Sequence, residues 1–239
     1  MALFTVIEGA DCCGKTTQVK LLVEKLEQMR LGAVEMSFPR YETPVGRIIK
    51  LNLEGELRLR DACGGLVEDD EDLMFQALNT MDKYEASDDI LEHLRCDRNV
   101  VSSRWWQSAV VYGNDMGIPR ESLLKIHRLL PRADLNVLIW LPEEESIARR
   151  PDMRDRLERD RERQKHMREA YRQMWAEHKA VLSIPGLHRG RDDSANWWLV
   201  VDGRGSEMEV HEKIWNTFLW ILQDKGAYFQ GSCGAGLTT

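Results

Sequence analysis

Residues 9 to 16 read Gly9-Ala10-Asp11-Cys12-Cys13-Gly14-Lys15-Thr16, which satisfies the pattern G-x-x-x-x-G-K-[ST]. Each residue type in it answers to a phosphate group. The two glycines let backbone N–H groups turn inward around phosphate oxygens, and a helix opening at the lysine adds the positive end of its dipole. Lys15 is expected to reach β- and γ-phosphate oxygens. Thr16 offers a hydroxyl to Mg²⁺, a hard cation that prefers oxygen ligands and keeps several waters. The chemistry is binding of ATP with Mg²⁺ and movement of its terminal phosphoryl group. A turn that merely needs two glycines would leave Lys15 unexplained. Gly9, Asp11, Cys12, Cys13, Gly14, Lys15, Thr16 and Thr17 form the ATP-binding set at this loop. Cys12 and Cys13 read as small loop-filling residues, although a helix N-terminus also lowers thiol pKa values.

The motif works only between a strand and a helix, and the flanking sequence supplies both. Residues 3–8 are a short apolar, β-branched run, and within 16–30 Val19, Leu22, Val23 and Leu26 recur at helical spacing. Four further strands are predicted at 33–38, 99–103, 135–141 and 197–201, each separated by enough chain for a crossover helix. Helices are predicted at roughly 44–53, 71–95, 105–115, 120–130, 143–149, 156–180 and 206–224. Five short strands alternating with helices imply an α/β fold around a buried parallel sheet. The segment 53–72 carries Gly55, Gly64, Gly65 and an acidic run, and reads as a loop or insertion. Residues 1–225 are expected to form one domain, with 226–239, rich in Gly, Ser and Thr, as a flexible tail.

Composition narrows the partners. A length of 239 residues, 43% hydrophobic, suffices for one sizeable core, and the formal net charge of −7 argues against long runs of nucleic-acid phosphate as a ligand. The five cysteines show no zinc-ligand spacing, which fits reduced thiols in the cytoplasm. No run of 18 apolar residues exists to span a membrane, and no basic-then-apolar leader opens the chain.

The segment Phe4-Thr-Val-Ile-Glu-Gly-Ala-Asp-Cys-Cys-Gly-Lys-Thr-Thr-Gln18 resembles the opening of the thymidylate kinase family, P-loop nucleoside monophosphate kinases. The likeness continues in order. Phe38-Pro-Arg40-Tyr41 with Thr43 and Gly46 looks like that family's second-strand exit, Leu73-Met-Phe75 like its base-stacking helix, and Val100-Val-Ser-Ser-Arg104-Trp105 with Ser108 and Tyr112 like its Asp-Arg-Tyr segment. Arg154-Asp-Arg156-Leu-Glu158-Arg159 resembles its Arg-rich lid. Val200-Val-Asp202-Gly-Arg204 and the helix around Glu209 to Ile214 are similar to its last strand, adenine-side loop and closing helix.

The resemblance implies a three-layer P-loop kinase fold with a five-stranded parallel sheet and a short Arg-rich lid. It implies transfer of the ATP γ-phosphoryl group to dTMP, giving dTDP and ADP, in a homodimer, with Mg²⁺. The implied acceptor set is Asp11, Phe38, Arg40, Tyr41, Phe75, Asn79, Arg104, Ser108 and Tyr112; Arg150 and Arg204 join the ATP side. Phosphoryl transfer spreads negative charge over the moving group, so the catalytic candidates are cations: Lys15, Arg104, Arg154 and Arg156, with Arg150 and Arg159 behind them. Arg104 follows an apolar strand directly and would emerge at the ligand edge of the sheet; the competing reading is a surface arginine covering a helix start. Phe75 also reads as plain core, Asp11 as a turn residue, and the charges of 149–172 as a solvated helix face. Three positions depart from the family: Cys12 where some members have arginine, Ser103 where the pair has aspartate, and Asn79 where an arginine reads the pyrimidine.

Two other readings remain. A deoxynucleoside kinase needs a carboxylate base near a sugar hydroxyl, for which the sequence offers Glu8. A nucleotide-binding protein with weakened catalysis is suggested by Ser103.

Overall fold

The structure, a computed structural model, describes residues 1–58, 60, 63, 65, 68–149, 161–177, 187–189 and 196–233. The strands are β1 (Phe4–Glu8), β2 (Ala33–Ser37), β3 (Asn99–Ser103), β4 (Leu135–Trp140), β5 (Leu187–Arg189) and β6 (Trp197–Asp202). Between them run α1 (Lys15–Gln28), α2 (Pro44–Leu53), α3 (Glu68–Arg95), α4 (Trp106–Asp115), α5 (Arg120–Ile126), α6 (Glu143–Arg149), α7 (Arg161–Glu177) and α8 (Glu207–Cys233).

The sheet order is β2-β3-β1-β4-β6-β5. The first five strands in that order are parallel, as expected; β5, which the sequence reading lacked, pairs antiparallel with β6 at the edge. Parallel pairing sends the carboxyl ends of β1, β2, β3, β4 and β6 to one edge. Alternation along the strands builds a core on each face. Phe4 and Val6 of β1 and Leu138 of β4 belong to a cluster with Phe38, Phe75, Trp105, Trp175 and Trp198. Leu3, Ile7, Val137 and Ile139 face the other way, onto Val19, Leu22 and Leu26 of α1 and Ile214 and Phe218 of α8. Each such fully buried side chain contributes about 1.5–3 kcal/mol, so both helical layers are held by the same mechanism.

Local signals set the helix starts. Thr43 caps α2 by accepting from the Gly46 N–H at 3.1 Å, with Pro44 at the first position. Gly46 is required there, because a Cβ would come within 1.8 Å of the Arg40 carbonyl; this close approach fixes the chain leaving β2 against α2. Part of the stretch expected as a loop at 53–72 is helical, since α3 begins at Glu68. The boundary expected at 226 is not a helix end, because α8 continues through Cys233; residues 234–239 lie outside the described residues. Among the described residues no helix is long and apolar enough to cross a membrane.

Candidate functional site

The loops leaving the strands line one cleft of about 1110 Å³ at the carboxyl edge of the sheet. That exceeds the roughly 300–1,000 Å³ of a pocket for one small ligand, and leaves room for two.

At its centre lies the phosphate loop. Gly9 has φ +147°, and a Cβ there would sit 2.6 Å from the Ile139 carbonyl oxygen and 2.7 Å from Cys13 Sγ. Gly14 has φ +99° and opens α1 without any side-chain cap, which leaves the backbone N–H groups of the first turn to face the cleft. Lys15 is buried and donates from Nζ to the carbonyls of Gly9 at 3.0 Å and Ala10 at 2.8 Å. Thr16 is exposed in the cleft at the head of the helix. Ser146 of α6 donates to the Asp11 carbonyl at 2.8 Å and ties the loop to its neighbour. Gly9→Ala is expected to lower stability by about 2 kcal/mol or more, because neither a β-carbon nor that backbone angle is tolerated there; the drop in unfolding midpoint measures it.

The acceptor-side candidates surround Asp11. Arg104 directly follows the end of β3, at φ +68°, and its guanidinium forms an ion pair with Asp11 and lies 5.2 Å over the Tyr112 ring. The Tyr112 hydroxyl donates to Asp11 at 2.9 Å, and Gln164 Nε2 from α7 donates at 3.1 Å. Burial alone raises the Asp11 carboxyl pKa, but Arg104, Lys15 and those two hydrogen bonds outweigh it and bring it down to about 2. Asp11 is therefore ionised at neutral pH. Burial opposes the Arg104 cation, and Tyr112, Asp11, Tyr171 and Glu8 more than restore it.

Glu8, the one carboxylate offered as a general base, is fully buried and fully engaged. It accepts from the N–H groups of Trp105 (2.7 Å) and Ser108 (3.2 Å), from the Ser108 hydroxyl (2.6 Å) and from the Tyr171 hydroxyl (3.0 Å). Its work is to pin the turn from β3 into α4 that aims Arg104.

Phe38, Arg40, Tyr41, Phe75, Asn79, Ser108 and Tyr112 all line the cleft. Phe38 is held edge-on against Trp105 at 4.8 Å between centroids. Phe75 belongs to the core cluster and also lines the cleft. Arg40 is turned to α3: Nε donates to Asp82 at 2.8 Å, and Nη2 donates to the Asp82 carbonyl and Glu85, each at 2.9 Å. Ser103 lines the cleft as well. Gly9 supports the loop from behind. Arg204 stands outside the cleft, paired with Asp202, while Gly203 and Gly205 on either side line it. Arg150, Arg154, Arg156 and Arg159 lie outside the described residues. Of the described arginines in that segment, Arg163 pairs with Asp115 and Arg168 with Glu143.

Arg149, Gln18, Gln76 and Lys83 also line the cleft and were not singled out from the sequence. Arg149 donates to the Gly203 carbonyl at 2.6 Å, and its Nη1 lies 3.9 Å from where a Cβ on Gly14 would stand, which puts this cation over the phosphate loop. Position in the last turn of α6, one residue before the predicted Arg150, was the available signal.

Comparison with known proteins agrees with this arrangement. Residues 7–214 match the family described as thymidylate kinase. A probable thymidylate kinase of Thermococcus gammatolerans is 32% identical over 199 residues, covering 79% of this chain and 93% of its own. One from Methanococcus maripaludis is 31% identical over 171 residues, 72% of this chain and 76% of its own. The match to the thymidylate kinase of Dictyostelium discoideum is 29% identical and spans 62% of each chain. In three dimensions the chain superposes on the thymidylate kinase of Candida albicans with a TM-score of 0.67 and 21% identity, covering 94% of this chain and 92% of the other. With the loop, the parallel sheet and the cation-lined cleft all in their expected order, the chain belongs to the thymidylate kinase family.

Proposed function

We propose that the chain transfers the γ-phosphoryl group of ATP to the 5′-phosphate of dTMP, giving ADP and dTDP. The observation that carries this is the cleft itself, in which a phosphate loop separates two differently furnished ends. On one side Arg149, Gly203, Gly205 and Ser206 flank α1, as an ATP site requires; on the other, Phe38, Phe75, Asn79, Arg104 and Tyr112 offer an aromatic wall and a cation, as a monophosphate with a flat base requires. The acceptor oxygen is already ionised in a phosphate monoester, so no general base is called for. Engagement of every Glu8 oxygen counts against a nucleoside kinase, which would need one. A weakened nucleotide-binding protein is disfavoured by the charges retained at the buried Lys15 and the part-buried Asp11 and Arg104.

Lys15 and Arg149 would hold the donor phosphates, and Arg104 the acceptor phosphate, bringing attacking and transferred groups together in a site shielded from water. Mg²⁺ fits the oxygen donors at hand: the exposed Thr16 hydroxyl at the head of α1, with the Ser103 hydroxyl on the same cleft, beside nucleotide phosphates. When bound, the ion would neutralise charge on the β- and γ-phosphate oxygens. Arg154 and Arg156 are proposed to close over the donor as a lid. Leu73, Met81, Tyr84 and Leu91 expose apolar surface along α3, which supports a homodimer packed through that helix. Free thiols at Cys13 and Cys96 fit the cytoplasm.

The test is ADP release from ATP and Mg²⁺ with dTMP, dUMP, dGMP, dCMP and thymidine as acceptors. Preference for dTMP is expected, by about tenfold or more over the purine monophosphate. Activity confined to thymidine would overturn the reading in favour of a nucleoside kinase.

A further inference from the structure

Two amides on the cleft wall around Phe75 have oxygens without a partner. Asn79 is 8% exposed and stands one turn beyond Phe75 on the same face of α3, and Gln76 is 3% exposed; both line the cleft. Asn79 Nδ2 donates to the Phe75 carbonyl of its own helix at 2.8 Å, and Gln76 Nε2 is turned to Met116 Sδ at the end of α4, at 3.2 Å. Among the described residues no donor reaches Asn79 Oδ1 or Gln76 Oε1.

These contacts fix which end of each amide is which. Reversing Asn79 would set its oxygen against the Phe75 carbonyl, and reversing Gln76 would set an oxygen against a thioether sulfur, which has no proton to give. The nitrogens are therefore engaged within the protein, and the oxygens are left to a ligand. A buried amide oxygen without a donor is costly, and an N–H on the ligand is what satisfies it.

We propose that Asn79, with Gln76 beside it, reads the acceptor base by accepting the proton on its ring nitrogen N3. This rests on the reading of the cleft as a monophosphate kinase site and names the base edge that its acceptor half selects. A flat base lying on Phe75 turns one edge toward the next turn of α3, where Asn79 stands. On thymine that edge is a 4-carbonyl, an N3–H and a 2-carbonyl, and only N3 can serve an oxygen. The polarity is the reverse of the arginine that the family resemblance puts at position 79, because a guanidinium has donors only and would take a carbonyl. A base without the N3 proton leaves the wall oxygen unpaired, which makes the discrimination strong. Uracil presents the same edge, so these two amides do not separate dTMP from dUMP.

Steady-state kinetics with dTMP, N3-methyl-dTMP and 4-thio-dTMP, in wild type and Asn79→Ala, test this. In wild type kcat/KM is expected to fall about 100-fold or more for the N3-methyl analogue and to change less than about threefold for the 4-thio analogue, whose sulfur is a weaker acceptor than the oxygen it replaces. Asn79→Ala should lower kcat/KM for dTMP by about tenfold or more, mostly through KM, and leave the KM for ATP within about twofold. It should also bring N3-methyl-dTMP to within about threefold of dTMP. A loss of more than about tenfold on 4-thio-dTMP in wild type would overturn the proposal, since a donor on the wall would then be reading the 4-position. An N3-methyl penalty undiminished in Asn79→Ala would overturn it too, because the methyl group would be meeting another part of the wall. Should Asn79→Ala not fold, Asn79→Ser reads the same ratio. If wild type refuses dTMP but takes dGMP, whose ring donor is N1–H, the function proposed above fails on its own, and N1-methyl-dGMP then reads Asn79.

Discussion

Replacing Lys15 with methionine is expected to lower kcat for phosphoryl transfer by about a thousandfold, equivalent to about 4 kcal/mol, and to leave a folded protein. The side chain is 8% exposed and runs beneath the phosphate loop, so methionine preserves most of its packing. What disappears is the charge. The Nζ group rests on the Gly9 and Ala10 carbonyls at 3.0 and 2.8 Å, poised to exchange these neutral acceptors for phosphate oxygens. Because negative charge builds on the transferred group, a cation fixed in advance stabilises the transition state more than bound ATP. Loss of its two hydrogen bonds should cost about 1–2 kcal/mol of stability, visible as a lower unfolding midpoint. ATP-dependent turnover within about tenfold of wild type would remove the phosphate-loop mechanism.

How much of this was readable beforehand depends on whether a residue's partners lie near it in sequence. The phosphate loop was legible because its glycines, lysine and hydroxyl occupy eight consecutive positions between a strand and a helix, and α1 starts where the lysine stands. Strand β3 was legible to the residue, Asn99–Ser103, because an apolar run ends abruptly there. Edge strand β5 was not: three residues held by antiparallel pairing with β6 carry no periodicity of their own. The helix α3 begins inside a segment that acidic and glycine residues made look like a loop, and only its packing partners decide otherwise.

The same rule sorts the site. Arg104 was found from its place after a strand, yet its orientation depends on Asp11, 93 residues away, and on the engagement of Glu8 by Trp105 and Ser108 about 100 residues on. Lys83 was passed over because Met81-Asp-Lys-Tyr-Glu85 has the look of a solvent-facing helix turn. Spacing of four residues from Phe75 to Asn79 to Lys83 puts it on the buried face, but only the burial of Asp82 and Lys83 together shows that the charged turn faces inward. Arg40, read from its motif position, lines the cleft, and acids of α3 distant in sequence hold its guanidinium.

Arg104→Ala should raise the acceptor KM and lower kcat, each by more than about tenfold, while the KM for ATP stays within about threefold. The reason is geometric, since Arg104 is held over Tyr112 and against Asp11 at the acceptor end and away from Arg149 and Gly203. The substitution also strands a buried carboxylate, at a cost of about 3 kcal/mol. In wild type the Asp11 pKa is lowered to about 2 from an ordinary 3.8, so its contribution to stability is complete above about pH 4 and is lost as pH falls through 2. Without Arg104 the burial that raises this pKa is no longer outweighed to the same degree, so the gap in stability between wild type and variant should narrow as pH falls below about 4, where wild-type Asp11 loses its contribution. Adding Asp11→Asn should restore most of the unfolding midpoint and none of the turnover. Restoration of both would mean that Arg104 acts only by balancing Asp11, and an unchanged acceptor KM in Arg104→Ala would take it out of the acceptor site.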